Sequence, residues 1–219
     1  KMVNSRFLSF LIALIFTIFF ISCSSQEYTT AKLAIQQSDF QKAAEWLPKA
    51  MALEPDNPEI PVVLGVEIYA KNSEWSEMIK MFNTALKINS EKVIEVRGAF
   101  ISVEDAVTNY KDFYWAKEFN SGVEQFKKIQ EDPDNKLKYL EIAITHFLNA
   151  SIINPSDANT YLTLAKCYFD KEDKELAKKA ALSAVEKNPE SFDANFGAGQ
   201  ILGRAGLSSL EILPYYEKA

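Results

Sequence analysis

The sequence predicts an all-α fold, a solenoid of helical hairpins with one elongated helix near its centre. Three observations support this prediction. Small and apolar residues recur with a period of 34 or 35 residues, glycine is scarce at 7 of 219 residues, and no segment alternates apolar and polar residues as a half-buried strand does. We therefore expect almost no β-strand in a chain long enough to bury one extended core.

Composition and charge exclude several function classes. The formal net charge is −6, with 24 Lys and Arg against 30 Asp and Glu, whereas nucleic-acid binding needs clustered basic residues. Two cysteines and one histidine leave little room for a Cys/His metal site. Phosphate-binding glycine motifs and the H-E-x-x-H zinc motif do not occur. We predict a protein without cofactor, metal or enzymatic activity.

Residues 1–22 have the composition of a signal peptide. Lys1 and Arg6 precede an apolar run that is fifteen residues long and is interrupted only by Ser9 and Thr17. A membrane-spanning helix needs about 20 apolar residues, whereas a shorter run of this kind is typical of a signal-peptide core.

The end of this run, Ser22-Cys23, resembles the lipobox of bacterial lipoproteins. The resemblance implies that Cys23 is acylated and becomes the first residue of the mature protein, because several acyl chains give a stable anchor. The protein would then be attached to a membrane of the bacterial cell envelope and face the periplasm or extracytoplasmic space. An uncleaved signal anchor with a buried Cys23 is the alternative.

A repeat organises the rest of the chain. Ala150, Ala184 and Ala219 are spaced by 34 and 35 residues, and Ala50 and Ala85 by 35. The unit is two short amphipathic helices that cross at small residues, closed by a proline turn. The best copy, residues 158–191, has these pattern residues: Tyr161, Leu164, Ala165, Tyr168, Ala177, Ala184 and Pro189.

This pattern resembles the tetratricopeptide repeat family, here in the form of a bacterial lipoprotein. The resemblance implies one repeat domain over 23–219. Its copies would be 24–57, 58–90, 91–157 with a long insertion, 158–191, and 192–219, which is incomplete. The family is specific for fold and unspecific for function.

The period fails between Ala85 and Ala150, which lie 65 residues apart. Because neighbouring helices alternate in direction, one or three helices must lie between the helix that carries Phe82 and the helix that carries Ala143. The absence of proline from Glu91 to Glu131 favours one long helix.

Two apolar stripes run along this predicted helix. The second, Trp115, Phe119, Gly122, Phe126 and Ile129, is predicted to face the helix 136–153. The first has alternating steps of 3 and 4 residues, as in a coiled-coil seam. It consists of Val93, Val96, Phe100, Val103, Val107, Tyr110 and Tyr114. We favour packing of this seam on the chain's own repeats; association with a partner or a second copy is the alternative.

The resemblance also implies a groove for partners, lined by the first helix of each pair. The predicted groove residues are Asn159, Leu162, Lys166, Phe169, Asp170, Phe196, Gln200 and Arg204, with Glu59, Val62, Val66, Tyr69 and Ala70 in the 58–90 copy. Mixed aromatic, amide and charged side chains suit an extended peptide or a helix. Outside the groove, His146 is predicted to be a helix-surface residue and Cys167 a small buried hydrophobe without a disulfide partner.

Three functions fit these observations. The first is a lipid-anchored envelope scaffold that binds protein or peptide partners, with self-association open. The second is the periplasmic helical component of a TRAP-type substrate transporter, a class of lipoproteins that this chain resembles in its long helix. The third is the non-catalytic part of a longer protein.

Overall fold

The computed structural model describes residues 24–96 and 98–219, so the predicted signal peptide and Cys23 lie outside the described residues. Helical hairpins follow one another along this part of the chain. They are α1 (Gln26–Gln36) with α2 (Phe40–Leu53); α3 (Glu59–Leu64, continued by a π-helical turn, Gly65–Tyr69) with α4 (Trp75–Asn89); α5 (Val103–Glu131) with α6 (Lys136–Ile153), joined by a 3-10 turn (Pro133–Asn135); α7 (Ala158–Asp170) with α8 (Lys174–Lys187); and α9 (Phe192–Arg204) with α10 (Ser209–Lys218).

The hairpins pack through small residues, as the repeat predicts. Ala43, Ala50, Ala85, Ala143, Ala150, Ala177 and Ala184 are all completely buried. An alanine lets two helix backbones approach closely, so the same residue type recurs at the same place in each pair. The predicted all-α solenoid of helical hairpins is confirmed. No helix within the described residues is long and apolar enough to cross a membrane.

Four of the described hairpins, all except α5–α6, share one turn geometry. Ser38, Ser73 and Glu172 have positive φ angles of 60°, 60° and 68°, and Gly206 has φ 108° in the corresponding turn of the last pair. The aspartates Asp39 and Asp173 follow directly and cap the second helix, each accepting a hydrogen bond from a backbone N–H of its first turn.

None of the described residues of the segment 91–102 is helical, so the predicted start of the long helix at Glu91 is wrong. Strands β1 (Val93–Val96) and β2 (Ala99–Ser102) form an antiparallel hairpin of two four-residue strands in an otherwise helical part of the chain, in line with the expectation of almost no strand. Gly98 has φ +82° in the connecting turn, a conformation that glycine adopts without steric cost. The β-branched residues before Gly98 favour a strand. Ile94 lies on the inner face of the hairpin and is buried.

The elongated helix is real but begins at Val103. Val103, Val107 and Tyr114 are buried in the core together with Trp75 and Phe82. Packing of the seam on the chain's own repeats, the interpretation that the sequence favours, therefore holds for these three residues, and the alternative of an association surface does not apply to them. Two other seam residues lie on the hairpin and stay exposed: Val93 at 60% and Phe100 at 74%.

The second apolar stripe packs against α6 as predicted. The Phe119 ring lies 5.3 Å from the ring of Phe147, and Gly122 is buried against the same ring. Because Gly122 has no side chain, Phe147 fills the space next to the α5 backbone. The long helix therefore joins two cores, with its first half in the core around Trp75 and Phe82 and its second half in the core around Phe147; a third core, around Tyr28 and Leu47, lies toward the N-terminus.

Candidate functional site

A cleft of about 360 Å³ lies between α1, α3, the start of α5 and strand β1. Its apolar residues are Ile35, Val62, Val63, Val66, Ile94, Val96 and Tyr110, and its polar residues are Lys32, Gln36, Glu59, Glu67 and Glu95, with Gly98 at the hairpin turn. Three residues that the sequence predicts in the groove of the 58–90 copy, Glu59, Val62 and Val66, thus lie together in one cleft. An apolar cavity with a few convergent polar groups is typical of a binding site.

Hydrogen bonds fix one carboxylate of this cleft. The Tyr28 hydroxyl donates to Glu59 Oε1 at 2.7 Å, and Lys32 Nζ lies 3.5 Å from the same oxygen. Burial, together with the negative charge of Glu59, raises the pKa of Tyr28, so the hydroxyl stays a donor at all physiological pH values. Glu59 is therefore held in place on the α3 side of the cleft.

The other two carboxylates of the cleft differ in their surroundings. Glu67 Oε2 lies 2.7 Å from Lys71 Nζ. Glu95 is exposed on β1, and no lysine lies within ion-pair distance of it among the described residues. Glu59 and Glu67 thus each have a lysine beside them, whereas Glu95 has none among the described residues, so a cationic group of a ligand would meet the Glu95 carboxylate unpaired.

The second half of the predicted groove lies on α7 and α9. The guanidinium carbon of Arg204 lies 4.3 Å from the centroid of the Phe169 ring, a cation–π contact between neighbouring repeats. Phe196 stacks on Phe192 with centroids 5.5 Å apart, and both rings are exposed. Asn159 and Lys166 are exposed on α7, and Gln200 is exposed on α9. This polar and aromatic surface has two open depressions, one of about 180 Å³ lined in part by Asn159 and Leu162, and one of about 390 Å³ lined by Gln200, Gly203, Arg204 and Tyr216.

Some predicted groove residues are largely buried. Leu162 is 7% exposed: it lines the smaller depression with what remains accessible, and a side chain on Gly197 of the next helix pair would meet it. Ala70 is also buried. Tyr69 packs against both the core around Trp75 and Phe82 and the core around Tyr28 and Leu47. Asp170 is half-buried and contributes to the raised pKa of Cys167.

A buried polar cluster between α5 and α6 was not predicted. His146 Nδ1 lies 2.9 Å from Glu118 Oε2, and Asn149 Nδ2 donates to the same oxygen at 2.9 Å. No sequence signal links these residues, because Glu118 is 28 residues before His146 and interrupts no motif. No group of three or more potential metal ligands is arranged to hold a metal ion within 24–96 and 98–219.

Cys167 is buried, as the sequence predicts, and its thiol is free. Burial, with a smaller contribution from Asp170, raises the pKa of the thiol to about 12. Cys167 is therefore an unreactive core residue and takes no part in the surfaces described above.

No family model matches the chain, and no curated protein matches it. Similar solved structures include MamA from Desulfovibrio magneticus RS-1, with 15% identity over 90% of this chain and 94% of that chain and a TM-score of 0.39. YrrB, described as a TPR protein with an unusual peptide-binding site, has 16% identity over 89% and 84% and a TM-score of 0.34. PilF of Pseudomonas aeruginosa has 15% identity over 88% and 74% and a TM-score of 0.32.

The chain's own stacked helical hairpins form a tetratricopeptide-type fold. No TM-score of the three structures named above reaches 0.5, and nothing about function follows from these similarities.

Proposed function

We propose that this protein is a lipid-anchored scaffold of the bacterial cell envelope that binds protein or peptide partners on the first helices of its hairpins. The observation that carries the proposal is the cleft between α1, α3, α5 and β1, with its apolar floor and carboxylate rim. The volume and lining suit a few side chains of a polypeptide, the kind of ligand that helical solenoids take on an extended surface.

Membrane attachment rests on the sequence of residues 1–23. The short apolar run followed by Ser22-Cys23 supports acylation of Cys23. A tethered solenoid would then present its cleft to partners in the same compartment, and tethering raises the local concentration of both.

Site-specific cross-linking tests partner binding. A photoreactive amino acid is placed at Gln36, which lines the cleft, or at Gln41, which is exposed on α2. Both replace an exposed glutamine on a helix of the first hairpin, so they form a matched pair. In native membranes, we expect discrete protein adducts from position 36 and none from position 41. Equal labelling from both positions, or none from either, contradicts the proposal.

Fractionation tests the anchor separately. Cys23→Ala should move the protein from the membrane fraction to the soluble fraction, and inhibition of lipoprotein signal peptidase should cause a larger precursor to accumulate. A Cys23→Ala variant that stays with the membrane would contradict lipid anchoring and leave the cross-linking result unaffected.

A further inference from the structure

The hairpin 93–102 brings a free strand edge to the cleft. Ile94, Glu95, Val96 and Gly98 all line it. Successive side chains of a strand point to opposite faces, so three consecutive lining residues mean that the backbone edge of β1 faces the cleft. β2 is the only strand paired with β1 among the described residues, and it occupies the opposite edge.

The register identifies which backbone groups are available. In an antiparallel pair, hydrogen-bonded and non-hydrogen-bonded residue pairs alternate. Val103 N–H donates to Lys92 O at 3.0 Å, so the pairs Glu95–Phe100 and Val93–Ser102 are of the non-hydrogen-bonded kind. The N–H and C=O groups of Glu95 and Val93 therefore point away from β2, toward the cleft side.

We propose that this edge binds an extended, basic segment of a partner protein as a third strand; the inference rests on the proposed function and specifies its ligand. An added strand would accept from and donate to Glu95 main-chain groups. Its inward side chains would lie over Val62 and Val66 of α3, which favours small β-branched residues.

Charge selects the outward side chains of the added strand. Cross-strand neighbours on the same face of a sheet lie about 5 Å apart, so a residue beside Glu95 meets its carboxylate directly. Glu59 and Glu67 lie beside Lys32 and Lys71, so this selection rests on Glu95. The segment that fits is one in which Lys or Arg alternates with a β-branched residue.

A second copy of the chain fits this edge less well. Pairing β1 with β1 of another molecule would bring Glu95 near its own equivalent in a cleft that already contains Glu59 and Glu67. Like charges directly opposite are destabilising, and the chain as a whole carries a formal charge of −6.

The test uses the full chain and an acetylated, amidated peptide, Lys-Val-Lys-Val-Lys-Val-Lys, labelled for fluorescence anisotropy. A peptide of the same composition with its valines together is the control for charge alone. We expect saturable binding of the alternating peptide at concentrations up to about 1 mM, and at least tenfold weaker binding of the control. Absence of saturable binding, or equal binding of both peptides, overturns the proposal.

Two protein variants distinguish the contribution of the β1 backbone to peptide binding from that of the Glu95 charge. Glu95→Pro removes the outward N–H without breaking the hairpin's own hydrogen bonds, and should weaken binding at least about tenfold. Glu95→Gln keeps that N–H and should weaken binding only about threefold, with the difference vanishing at high salt. Equal binding by wild type and Glu95→Pro overturns strand addition.

Peptide chemistry provides a check that leaves the protein unaltered. Methylation of alternate backbone nitrogens of the peptide, on its β1-facing side, should abolish binding to the wild-type protein, whereas methylation of the other set should not. If both sets are tolerated, the peptide binds without pairing and the proposal fails, even if the Glu95→Pro variant misfolds.

Sedimentation distinguishes the alternative occupant. A dimer of the wild-type chain that Glu95→Pro converts to a monomer would show that a second copy occupies the edge, and would overturn the proposal. Failure of the peptide tests with retained cross-linking from Gln36 would leave the proposed scaffold function intact and reject strand addition alone.

Discussion

The two ends of the molecule use the same helical hairpin and offer different chemistry. Near the N-terminus, β1 stands beside α3 and turns a shallow surface into a cleft with three carboxylates. On α7 and α9 there is no strand, and Arg204 lies on the Phe169 ring above tightly packed helices. The comparison shows that the repeat determines the backbone framework, whereas an inserted segment of about a dozen residues determines which ligands a surface can take.

The cores below the two surfaces also differ. Around α4 and the first half of α5, large rings pack together: the Trp75 and Tyr114 centroids are 5.5 Å apart. Around α8, the buried residues are the alanines Ala177, Ala180, Ala181 and Ala184. Rings fill space that helices leave open, whereas alanines require the helices to touch, so the C-terminal pairs should tolerate less change of volume.

The largest expected effect is that of Ala177→Asp. A carboxylate at this completely buried position would have no partner, and we expect a loss of roughly 3 kcal/mol or more in the free energy of unfolding. Chemical denaturation measures the change. Ala52→Asp, at an exposed alanine of α2, is the control and should change the stability by less than about 1 kcal/mol.

This variant also tests whether the two ends are independent. If they are, the cleft should still bind the alternating peptide after the C-terminal pairs have loosened. Loss of peptide binding in parallel with loss of helix would show a single cooperative unit instead.

The next largest effect comes from comparing two residues of the apolar seam, one on α5 and one on the β-hairpin. Val107→Lys places an ammonium group at a residue that is 3% exposed, and should lower the free energy of unfolding by roughly 3 kcal/mol. Phe100→Lys, on the exposed face of the hairpin, should change it by less than about 0.5 kcal/mol. Thermal melts of both variants measure this, and equal shifts would contradict the placement of the hairpin.

Gly122→Ala probes the junction between the two cores and should have a smaller effect. An added Cβ would lie 2.7 Å from a ring carbon of Phe147, so we expect a loss of about 1–2 kcal/mol despite alanine's better helix propensity. At Gly203 the nearest atom is the flexible tip of Ile212 at 3.1 Å. Gly203→Ala should therefore be neutral or slightly stabilising, and the reverse order would show that Phe147 can move aside.

The smallest effect concerns carboxylates at the two ends. Hydrogen bonds from Ser208 lower the pKa of Glu211. At Glu54, burial acts to raise the pKa, but hydrogen bonds from Ser25 and Asn57 outweigh burial, so the pKa of Glu54 is lowered as well. Because a depressed pKa stabilises the fold above the unfolded-state value, Glu54→Ala and Glu211→Ala should each lower the melting temperature slightly at pH 7.

The same variants give a pH test of these hydrogen bonds. The stabilisation is lost as pH falls through the folded-state pKa, so the difference between variant and wild type should shrink toward about pH 3. Differences in melting temperature that are constant across this range would mean that the carboxylates stabilise the fold without a change in pKa.

The repeat was predictable because each buried alanine recurs at a fixed spacing over several copies. The hairpin was not, because Val93, Val96 and Phe100 have helical spacing while Ile94 and Ile101 supply the buried strand face, and four-residue strands are too short to show a clear period. Gly98 was the one local signal for a turn.

The candidate site was predictable to the same extent. Glu59, Val62 and Val66 follow from their place on the first helix of a pair. The role of the Glu95 backbone depends on the hairpin and could not be anticipated. The pairing of Glu118 with His146 depends on how α5 and α6 lie side by side, which spacing along the chain does not encode.

The rate at which the buried thiol of Cys167 reacts reports local opening of the fold around α7. The thiol is buried on α7, between the hairpin α5–α6 and helix α8, and burial makes it a poor nucleophile while the fold is closed. A thiol reagent can react only when α7 separates from a helix that covers it, and fraying of α1 would not expose the thiol. The labelling rate at this atom therefore measures how often the middle of the solenoid opens, on a timescale that equilibrium melting curves do not reach.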